Sequence, residues 1–459
     1  MAVDTVIAGG TLATASGTFE GSVAIDDETI VAVGAESSLP SGRDRIDASG
    51  RIVMPGVVDP HVHAADPFSA DPYETATAAA ALGGVTTVLD FAWQPYDSPE
   101  SPWDYDGTLT EAIEGKRSLE TEARIDFGLH GGIEREDPAV FEEFDDLIEQ
   151  GVTSFKMFTA YDEALSNGFI YQVFEELAAR DAVAVLHTEE NSICEMLTAR
   201  YAAEHPHDPT WYPKSRPGYA EAMAAADVVR LATEVGTKYY GVHTSCGEAA
   251  DVIASHQDDG SQIRAETCTQ YTVLDDSLYE DVGALAKIAP PLRSPQDRDA
   301  MFEALSDGPL SVVSTDHVAI DHEAKRTDDW STVGFGMNSL QVSLPVFHDE
   351  AVGRRNFSYP FLVSVMCTNP ARTFGLPRKG TLEPGTDADI VIFDPDVTWT
   401  IDEEDIVSTA GYSLYDGREV TGRVDRTYVR GTCVAANGEL REEPGYGKYI
   451  ARDLPDWSQ

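Results

Sequence analysis

The chain has 459 residues, of which 42% are hydrophobic, 80 are acidic and 32 are basic, so its formal net charge is −48. A chain of this length is too long for one small domain and suits a large α/β barrel with a smaller appended domain. The overall negative field would repel phosphate backbones, which argues against a nucleic-acid partner.

Lysine is rare among the basic residues, with eight Lys beside 24 Arg. An acidic, lysine-poor surface suits a cytoplasm with molar salt, where the Debye length is about 3 Å and like charges are screened. We therefore predict a halophilic source. The alternative is an acidic enzyme from an ordinary mesophilic cytoplasm.

The cysteines argue against a disulfide framework and against a zinc–thiolate site. There are five of them, an odd number, and they form no C-x-x-C motif. The N-terminus has neither the basic segment nor the long apolar core of a signal peptide. No apolar run reaches the length of about 18 residues that a membrane span needs. These features predict a soluble cytoplasmic protein with no membrane partner.

Short strands broken by turns are predicted at both ends of the chain, over residues 1–55 and again within residues 374–459. Asn437-Gly438 is a strong hairpin signal. We expect the two ends to pair into one small β-sandwich domain. The segments interpreted as its strands are residues 6–8, 22–25, 30–33, 388–393 and 426–435.

Between these ends, residues 56–373 alternate between short apolar runs and helical stretches such as 138–150 and 220–235. Strands that alternate with helices over a segment of this length predict a (β/α)₈ TIM-type barrel. The apolar runs interpreted as barrel strands are residues 86–91, 154–158, 183–187, 240–243 and 310–314.

The first chemical motif is His61-Val62-His63, which follows the apolar run 52–58. Residues i and i+2 of a strand share one face, so both imidazoles point the same way and supply two nitrogen ligands to one ion. The alternative is an ordinary surface pair or a pair whose hydrogen bonds are satisfied in the core.

Lys156 lies within the apolar strand 154–158. A buried, unpaired ammonium group is costly, so this lysine should be neutralised or modified. It could extend outward to solvent or pair with a carboxylate. Alternatively, it could react with CO₂ to form a carbamate, an anionic oxygen ligand that can bridge two metal ions.

His187 and His243 each end an apolar strand, and Asp316 follows the run 312–315. Taken singly, each histidine could be a core residue with a satisfied hydrogen bond. His317 could be a partner behind the site or a structural residue. In a (β/α)₈ barrel, however, the carboxyl ends of the strands converge on the face where catalysis takes place. Together with His61, His63 and Lys156, these residues predict a two-metal site.

At these residues the chain resembles the amidohydrolase superfamily, in its cyclic-amidase branch of hydantoinases, dihydropyrimidinases, allantoinases and dihydroorotases. The matching stretches run in order through nearly the whole chain. They are MPGVVDPHVH (54–63), TSFKMFTAY (153–161), VLHTEEN (185–191), GVHTSCGEA (241–249), AETCTQY (265–271), APPLR (289–293), VSTDHVA (313–319), NPARTFGL (369–376) and KGTLEPGTDADIVIFDP (379–395).

The resemblance implies two divalent metal ions, usually zinc and sometimes manganese. The HxH pair would bind the more buried ion, and the two later histidines would bind the other. Lys156, carboxylated by CO₂ to N6-carboxylysine, would bridge the ions, and Asp316 would complete the first site. The implied ligands are His61, His63, Lys156, His187, His243 and Asp316.

The resemblance also bears on the substrate. Tyr161, five residues after the lysine, resembles the tyrosine that stabilises the oxyanion in hydantoinases and dihydropyrimidinases, although barrel-rim packing is an alternative. Ala289 and Phe335 fall where the family contacts the substrate ring, largely through the main chain. Dihydroorotases carry arginine where this chain has Ala65, whereas residues 339–341 look more like allantoinases.

The implied activity is hydrolysis of the amide bond in a small cyclic ureide or imide such as hydantoin or dihydropyrimidine. Allantoinase is the alternative and dihydroorotase a weaker one. Asp316 would act as general base and then acid, and Tyr161 would stabilise the oxyanion. A catalytically silent tetrameric scaffold is the non-enzyme alternative, but it would lack ligands that are all present here. The family resemblance further implies a homo-oligomer, a tetramer or a dimer.

Overall fold

The computed structural model describes residues 2–94, 107–257 and 262–458. Its described strands form two nine-stranded sheets. In chain order the strands are β1 (Val3–Thr14), β2 (Gly17–Asp26), β3 (Thr29–Gly34), β4 (Gly42–Asp47), β5 (Ile52–Pro55), β6 (Val57–His63), β7 (Val85–Trp93), β8 (Asp126–Gly132), β9 (Ser154–Phe158), β10 (Val183–His187), β11 (Lys238–Gly241), β12 (Ile263–Cys268), β13 (Val312–Ser314), β14 (His317–Val318), β15 (Ile390–Thr400), β16 (Glu419–Val429), β17 (Thr432–Ala436) and β18 (Glu439–Leu440).

Most α-helices follow the barrel strands along the chain. They are α1 (Tyr73–Leu82), α2 (Leu109–Arg117), α3 (Phe144–Glu149), α4 (Asn167–Ala179), α5 (Asn191–Glu204), α6 (Tyr212–Ser215), α7 (Gly218–Val235), α8 (Gly247–Ala254), α9 (Thr269–Val273), α10 (Leu278–Asp281), α11 (Pro295–Asp307), α12 (His322–Lys325), α13 (Ser343–His348), α14 (Tyr359–Val363) and α15 (Asn369–Thr373). Among the described helices, none is both long enough and apolar enough to cross a bilayer.

The second sheet is a closed parallel barrel. Its strands run in the order β13-β12-β11-β10-β9-β8-β7-β6-β14. Only Thr315 and Asp316 separate β13 from β14, so these two short strands are halves of one barrel strand. The first half pairs with β12 and the second with β6. Eight strand positions therefore close into a ring, and the predicted (β/α)₈ barrel is confirmed.

Alternation along the barrel strands explains their apolar sequences. Val183 and Val185 belong to the cluster that fills the barrel, together with Val58, Leu89, Tyr240 and Val312. Their neighbours Ala184 and Leu186 belong instead to the large core that includes the packed helices. Because both faces of a parallel barrel strand are buried, the strands read as continuous apolar runs, and a polar residue at a strand end stands out.

The first sheet joins the two ends of the chain into one small domain, as predicted. Its order is β18-β17-β16-β15-β5-β1-β2-β3, and β4 also pairs with β1. β5, from the N-terminal part, pairs antiparallel with β15, from the C-terminal part, with Val53 opposite Ile392. Only the pairs of β1 with β4 and β5 are parallel among these strands. Asn437 and Gly438, with φ of 53° and 76°, form the predicted hairpin turn between β17 and β18.

Two predicted elements are wrong in detail. The single strand expected over residues 426–435 is a hairpin that turns at Arg430 and Gly431, with φ of 43° and 77°. Buried polar contacts hold this turn, since the Arg430 N–H donates to Asp389 at 2.7 Å and its guanidinium pairs with Asp126. The helix expected over 138–150 is a 3₁₀ turn followed by α3, with the change at Glu143.

The last residues of the chain lie across the amino ends of the barrel strands. The Phe127 N–H at the start of β8 donates to the Lys448 carbonyl at 3.0 Å. The ammonium group of Lys238, at the start of β11, donates to the Pro455 carbonyl at 2.5 Å. The tail therefore covers the barrel face opposite the carboxyl ends of the strands.

Candidate metal centre

The six predicted ligands come together at the carboxyl end of the barrel. His61 and His63 end β6, His187 ends β10, and His243 lies two residues beyond β11. Lys156 lies within β9, and Asp316 occupies the break between β13 and β14. All six line one cavity of about 790 Å³.

The ligand atoms have the spacing that a metal ion requires. His61 Nε2 lies 3.2 Å from Asp316 Oδ1, and His63 Nε2 lies 3.5 Å from the same oxygen. Nitrogen and oxygen ligands bind zinc at about 2.0–2.2 Å, so neighbouring ligands of a tetrahedral ion are about 3.3 Å apart. One ligand atom each from His61, His243 and Asp316 also lie within 4.8 Å of one another. The donor set therefore fits a divalent ion.

Partners behind the histidines determine which nitrogen faces the cavity. His61 Nδ1 lies 2.7 Å from Glu266 Oε1, so it carries the proton and Nε2 keeps its lone pair. His187 Nε2 lies 2.9 Å from Glu189 Oε2 and is fixed in the same way. The free His187 Nδ1 then faces His243 Nε2 at 2.8 Å. The partners of His61 and His187 thus leave one nitrogen of each ring available as a ligand.

The electrostatics of the site favour neutral His61 and His243 beside an ionised Asp316, whereas His63 differs. Burial lowers the pKa of His61 and holds the pKa of His243 well below its usual range. Burial also opposes ionisation of Asp316, but the nearby histidines, His61 foremost, hold its pKa well below the usual range. For His63, burial lowers the pKa, but hydrogen bonds with Asp316 and Asp66 outweigh it and raise the pKa to about 9.

Lys156 is 1% exposed, which excludes the alternative that it extends outward to solvent. The ion pairs of the described lysines involve Lys116, Lys238, Lys379 and Lys448, and Lys156 is not among them. Its Nζ lies 5.4 Å from the ring centroid of Phe91 and 5.1 Å from that of Phe158. Burial lowers the pKa of Lys156 to about 8. The amine is therefore partly neutral near pH 8.

The three predicted substrate contacts, Tyr161, Ala289 and Phe335, also line the cavity. Tyr161 has a φ of 69°, and its backbone N–H donates to Asn191 Oδ1 at 2.9 Å. Its hydroxyl donates to Glu189 Oε2 at 3.4 Å, and its ring centroid lies 5.5 Å from that of Phe335. The tyrosine therefore stands in the cavity wall beside the histidines.

Sequence reasoning missed the residues that support this wall. Arg216 lines the cavity, and its Nε donates to Glu189 Oε1 at 3.0 Å, while its guanidinium lies 4.8 Å from the Tyr161 ring centroid. Glu189 could have been found, because it lies two residues beyond His187 in the same strand-end motif. Arg216 lies between two helices in a segment without hydrophobic periodicity, so no sequence signal marked it.

His317 lies behind the site and does not line the cavity. Its Nε2 lies 2.9 Å from Asp71 Oδ2, and its Nδ1 accepts the Ser339 N–H at 3.1 Å. Asp71 in turn accepts hydrogen bonds from Ser408 and Thr409 of the small domain. His317 therefore ties the strand that carries Asp316 to the rest of the molecule.

Comparisons with known proteins show what the whole chain is similar to. The model of the amidohydrolase family matches residues 52–434. A D-hydantoinase from Streptomyces coelicolor is 34% identical, with 98% of each chain covered. An allantoinase from Salmonella choleraesuis is 31% identical and covers 98% of this chain and 99% of its own length. A crystal structure of dihydropyrimidinase from Brevibacillus agri has a TM-score of 0.93 at 31% identity, covering 98% of this chain and 99% of that chain.

The chain therefore belongs to the amidohydrolase family. Within that family it is similar over its full length to hydantoinases and dihydropyrimidinases, which act on cyclic amides, and also to allantoinases.

Proposed function

We propose that the protein is a binuclear-metal hydrolase that opens the amide bond of a cyclic ureide or imide such as hydantoin or dihydropyrimidine. The observation that carries this proposal is the convergence of four histidines, Lys156 and Asp316 on one cavity that also contains Tyr161. The full-length similarity to hydantoinases supports the same reaction class.

Two divalent ions, zinc or alternatively manganese, would be held by the six predicted ligands. The neutral amine of Lys156 would attack CO₂ and lose one proton, which gives the anionic N6-carboxylysine that bridges the two sites. Burial of the amine and its lack of an ion-pair partner among the described residues support this modification. When bound, such ions supply a hydroxide near neutral pH and polarise the scissile carbonyl.

The chain's own residues then position the substrate and move the proton. Asp316 would accept a proton at its carboxylate and pass it to the leaving ring nitrogen, because its side chain lies beside His61, His63 and His243 in the cavity. Tyr161 would donate its hydroxyl to the developing oxyanion. The main chain at Ala289 and Phe335, which also line the cavity, would contact the substrate ring.

Allantoin is the second candidate substrate, because allantoinases match the chain at 31% identity over its full length. Dihydroorotate is a weaker candidate. Its carboxylate would need a cationic partner, and the only arginine among the described cavity residues, Arg216, is already paired with Glu189. A silent scaffold is disfavoured by the presence of every predicted ligand.

An assay of four substrates tests the proposal. The protein is freed of metal with a chelator, reconstituted with zinc or manganese in bicarbonate, and offered hydantoin, dihydrouracil, allantoin and dihydroorotate. We expect ring opening of hydantoin or dihydrouracil that disappears on chelation and returns with metal. No turnover of any of the four would refute the assignment to cyclic amidases.

We further propose a cytoplasmic homo-oligomer, a tetramer or a dimer, in which residues 56–373 form the hydrolase barrel. Residues 1–55 and 374–459 would form the small β domain and tail. The end of β5 at Pro55 and the end of α15 at Thr373 support these boundaries. Size exclusion in high salt would test the oligomeric state.

A further inference from the structure

One wall of the cavity is formed by residues 330–336, which we call the wall segment. Ser331, Gly334, Phe335 and Gly336 of this segment line the cavity. The segment contains only a short 3₁₀ turn, Trp330–Thr332, so regular secondary structure does not fix the position of its carboxyl half. Something else must hold Phe335 and Gly336 against the substrate.

Lys287 holds the segment from behind. It is 3% exposed, and its Nζ donates to the carbonyls of Trp330, Ser331 and Val333 at 3.0, 3.1 and 2.5 Å. An ammonium group has three N–H donors, so all of them are used on one segment. The Lys287 carbonyl also accepts the Gly336 N–H at 3.1 Å.

Lys287 forms no ion pair among the described residues, where the lysine pairs involve other positions, and burial lowers its pKa to about 7. Instead its Nζ lies 4.6 Å from the ring centroid of Phe335. The face of an aromatic ring attracts a cation, most strongly where water is excluded. The Phe335 ring is half-buried, with Tyr161 at 5.5 Å between centroids. The ring therefore connects the buried cation to the cavity.

A second buried lysine extends this arrangement. Lys325 Nζ donates to the carbonyls of Leu285 and Lys287 at 3.1 and 2.9 Å, and also to that of Gly336. The two lysines thus donate to four carbonyls of the wall segment. Lys325 also donates to two carbonyls in residues 285–287, which precede Ala289. Both main-chain segments that reach the cavity are held by the same pair of buried lysine side chains.

We propose that Lys287 is a positioning residue for substrate binding, which acts through the wall segment and the face of the Phe335 ring. This inference rests on the proposed function, because the wall segment would contact the cyclic amide. Lys287 is not among the residues that line the cavity with the metal ligands and Asp316. Loss of the Lys287 side chain should therefore weaken binding of the substrate ring without slowing bond cleavage. We expect KM to rise and kcat to stay the same.

The test compares Lys287→Met, Phe335→Leu and the double variant in the metal-reconstituted full-length protein. Each single substitution should raise KM for the best cyclic amide about tenfold, the size expected for a desolvated cation–π contact, with kcat within about twofold. The double variant should be no worse than the more affected single variant, because both changes remove one shared contact. Phe335→Tyr, which keeps the ring face, should raise KM less than Phe335→Leu does.

Lys214→Met is the matched control, because Lys214 also lies over an aromatic ring, that of Trp211 at 4.0 Å, but neither residue lines the cavity. It should leave both constants unchanged. Circular dichroism establishes whether each variant is folded. If Lys287→Met does not fold, the KM values of Phe335→Leu and Phe335→Tyr test the inference. An active wild type with an unchanged KM in Phe335→Leu, or KM effects that multiply in the double variant, would overturn the inference. A wild type that opens no cyclic amide would instead refute the proposed function.

Discussion

Two of the candidate ligands, His61 and His187, are each supported by a buried carboxylate behind the imidazole ring. Glu266 is fully buried and accepts hydrogen bonds from His61 Nδ1 and from the Tyr240 hydroxyl, both at 2.7 Å. Glu189 plays the corresponding part for His187 and is itself paired with Arg216. Such partners orient a ligand and raise its basicity, and their loss typically costs about 10- to 100-fold in metal affinity.

We therefore predict that Glu266→Gln weakens metal binding by about 10- to 100-fold, because an amide is a poorer acceptor for His61 Nδ1–H. Titration against a coloured chelator measures the affinity. Tyr240→Phe is the control, since it removes the hydrogen bond from the Tyr240 hydroxyl to Glu266 and leaves the contact with His61 intact. Equal metal affinities for wild type and Glu266→Gln would show that Glu266 does not orient the ligand.

The sequence predicted the six ligands because polar residues stand out at the ends of apolar strands. It could not predict Glu266, since that residue lies inside β12 and reaches His61 only across the barrel, 205 positions away in the chain. Arg216 was hidden for a similar reason, because its partner Glu189 is brought close by tertiary packing alone. Spacing along one strand is visible in a sequence, whereas contacts between strands are not.

At the scale of elements, three of the nine described non-glycine residues with positive φ lie where strands reach the cavity. Tyr161, His243 and Asp316 have φ of 69°, 39° and 47°, which non-glycine residues rarely adopt. Such conformations persist only where the surroundings enforce them, and they concentrate at functional sites. The apolar run 310–314 predicted a strand, but nothing in it indicated that the strand breaks at Asp316 and resumes at His317.

At this scale we predict that a substitution in the C-terminal tail lowers stability without changing catalysis. A Cβ at Gly447 would lie 2.0 Å from the Ile125 carbonyl oxygen, so Gly447→Ala should displace the tail from the barrel. Overpacking of this kind typically costs about 1–3 kcal/mol, so the thermal midpoint should fall. Because the tail lies on the face opposite the cavity, kcat at low temperature should stay within about twofold of wild type.

Differential scanning fluorimetry and limited proteolysis of the tail measure this effect. Gly17→Ala is the matched control, because a Cβ there would meet no atom within 4 Å. A Gly447→Ala protein as stable and as protease-resistant as wild type would contradict the close docking of the tail.

At the scale of the whole molecule, the distribution of lysine is as informative as the net charge. Six of the eight lysines, residues 116, 156, 238, 287, 325 and 379, are at most 5% exposed. Lysine is therefore nearly absent from the surface, which carries arginine and a large excess of carboxylates. Composition alone revealed that lysine is rare, but only the fold reveals that the remaining lysines are internal.

The domains are joined by buried charges rather than by surface pairs. Lys379 Nζ donates to Asp126 of the barrel at 2.6 Å and to Asp389 of the small domain at 2.7 Å. Arg430 also pairs with Asp126, and the Lys448 N–H of the tail donates to it at 3.0 Å. Salt screens buried pairs much less than exposed charges, so this junction should persist in concentrated salt.

We predict that raising KCl from about 0.1 M to about 1 M, which shortens the Debye length from about 10 Å to about 3 Å, stabilises the protein. The physical reason is self-repulsion of a chain with a net charge of −48. The thermal midpoint should rise by several degrees, as measured by scanning calorimetry. Sucrose at equal osmolality is the control for general surface exclusion. A midpoint that is independent of salt would contradict the halophilic interpretation.

The most direct test compares the wild type with the Lys156→Ala variant. Both proteins are reconstituted with zinc and bicarbonate, and their rates of opening hydantoin and dihydrouracil are measured. We expect the wild type to turn over at least one of the two substrates. We also expect the Lys156→Ala protein to lose one or both metal ions and nearly all activity. A wild type inert toward both substrates would contradict the proposed reaction, and a fully active Lys156→Ala variant would contradict the carbamate on which the two-metal site depends.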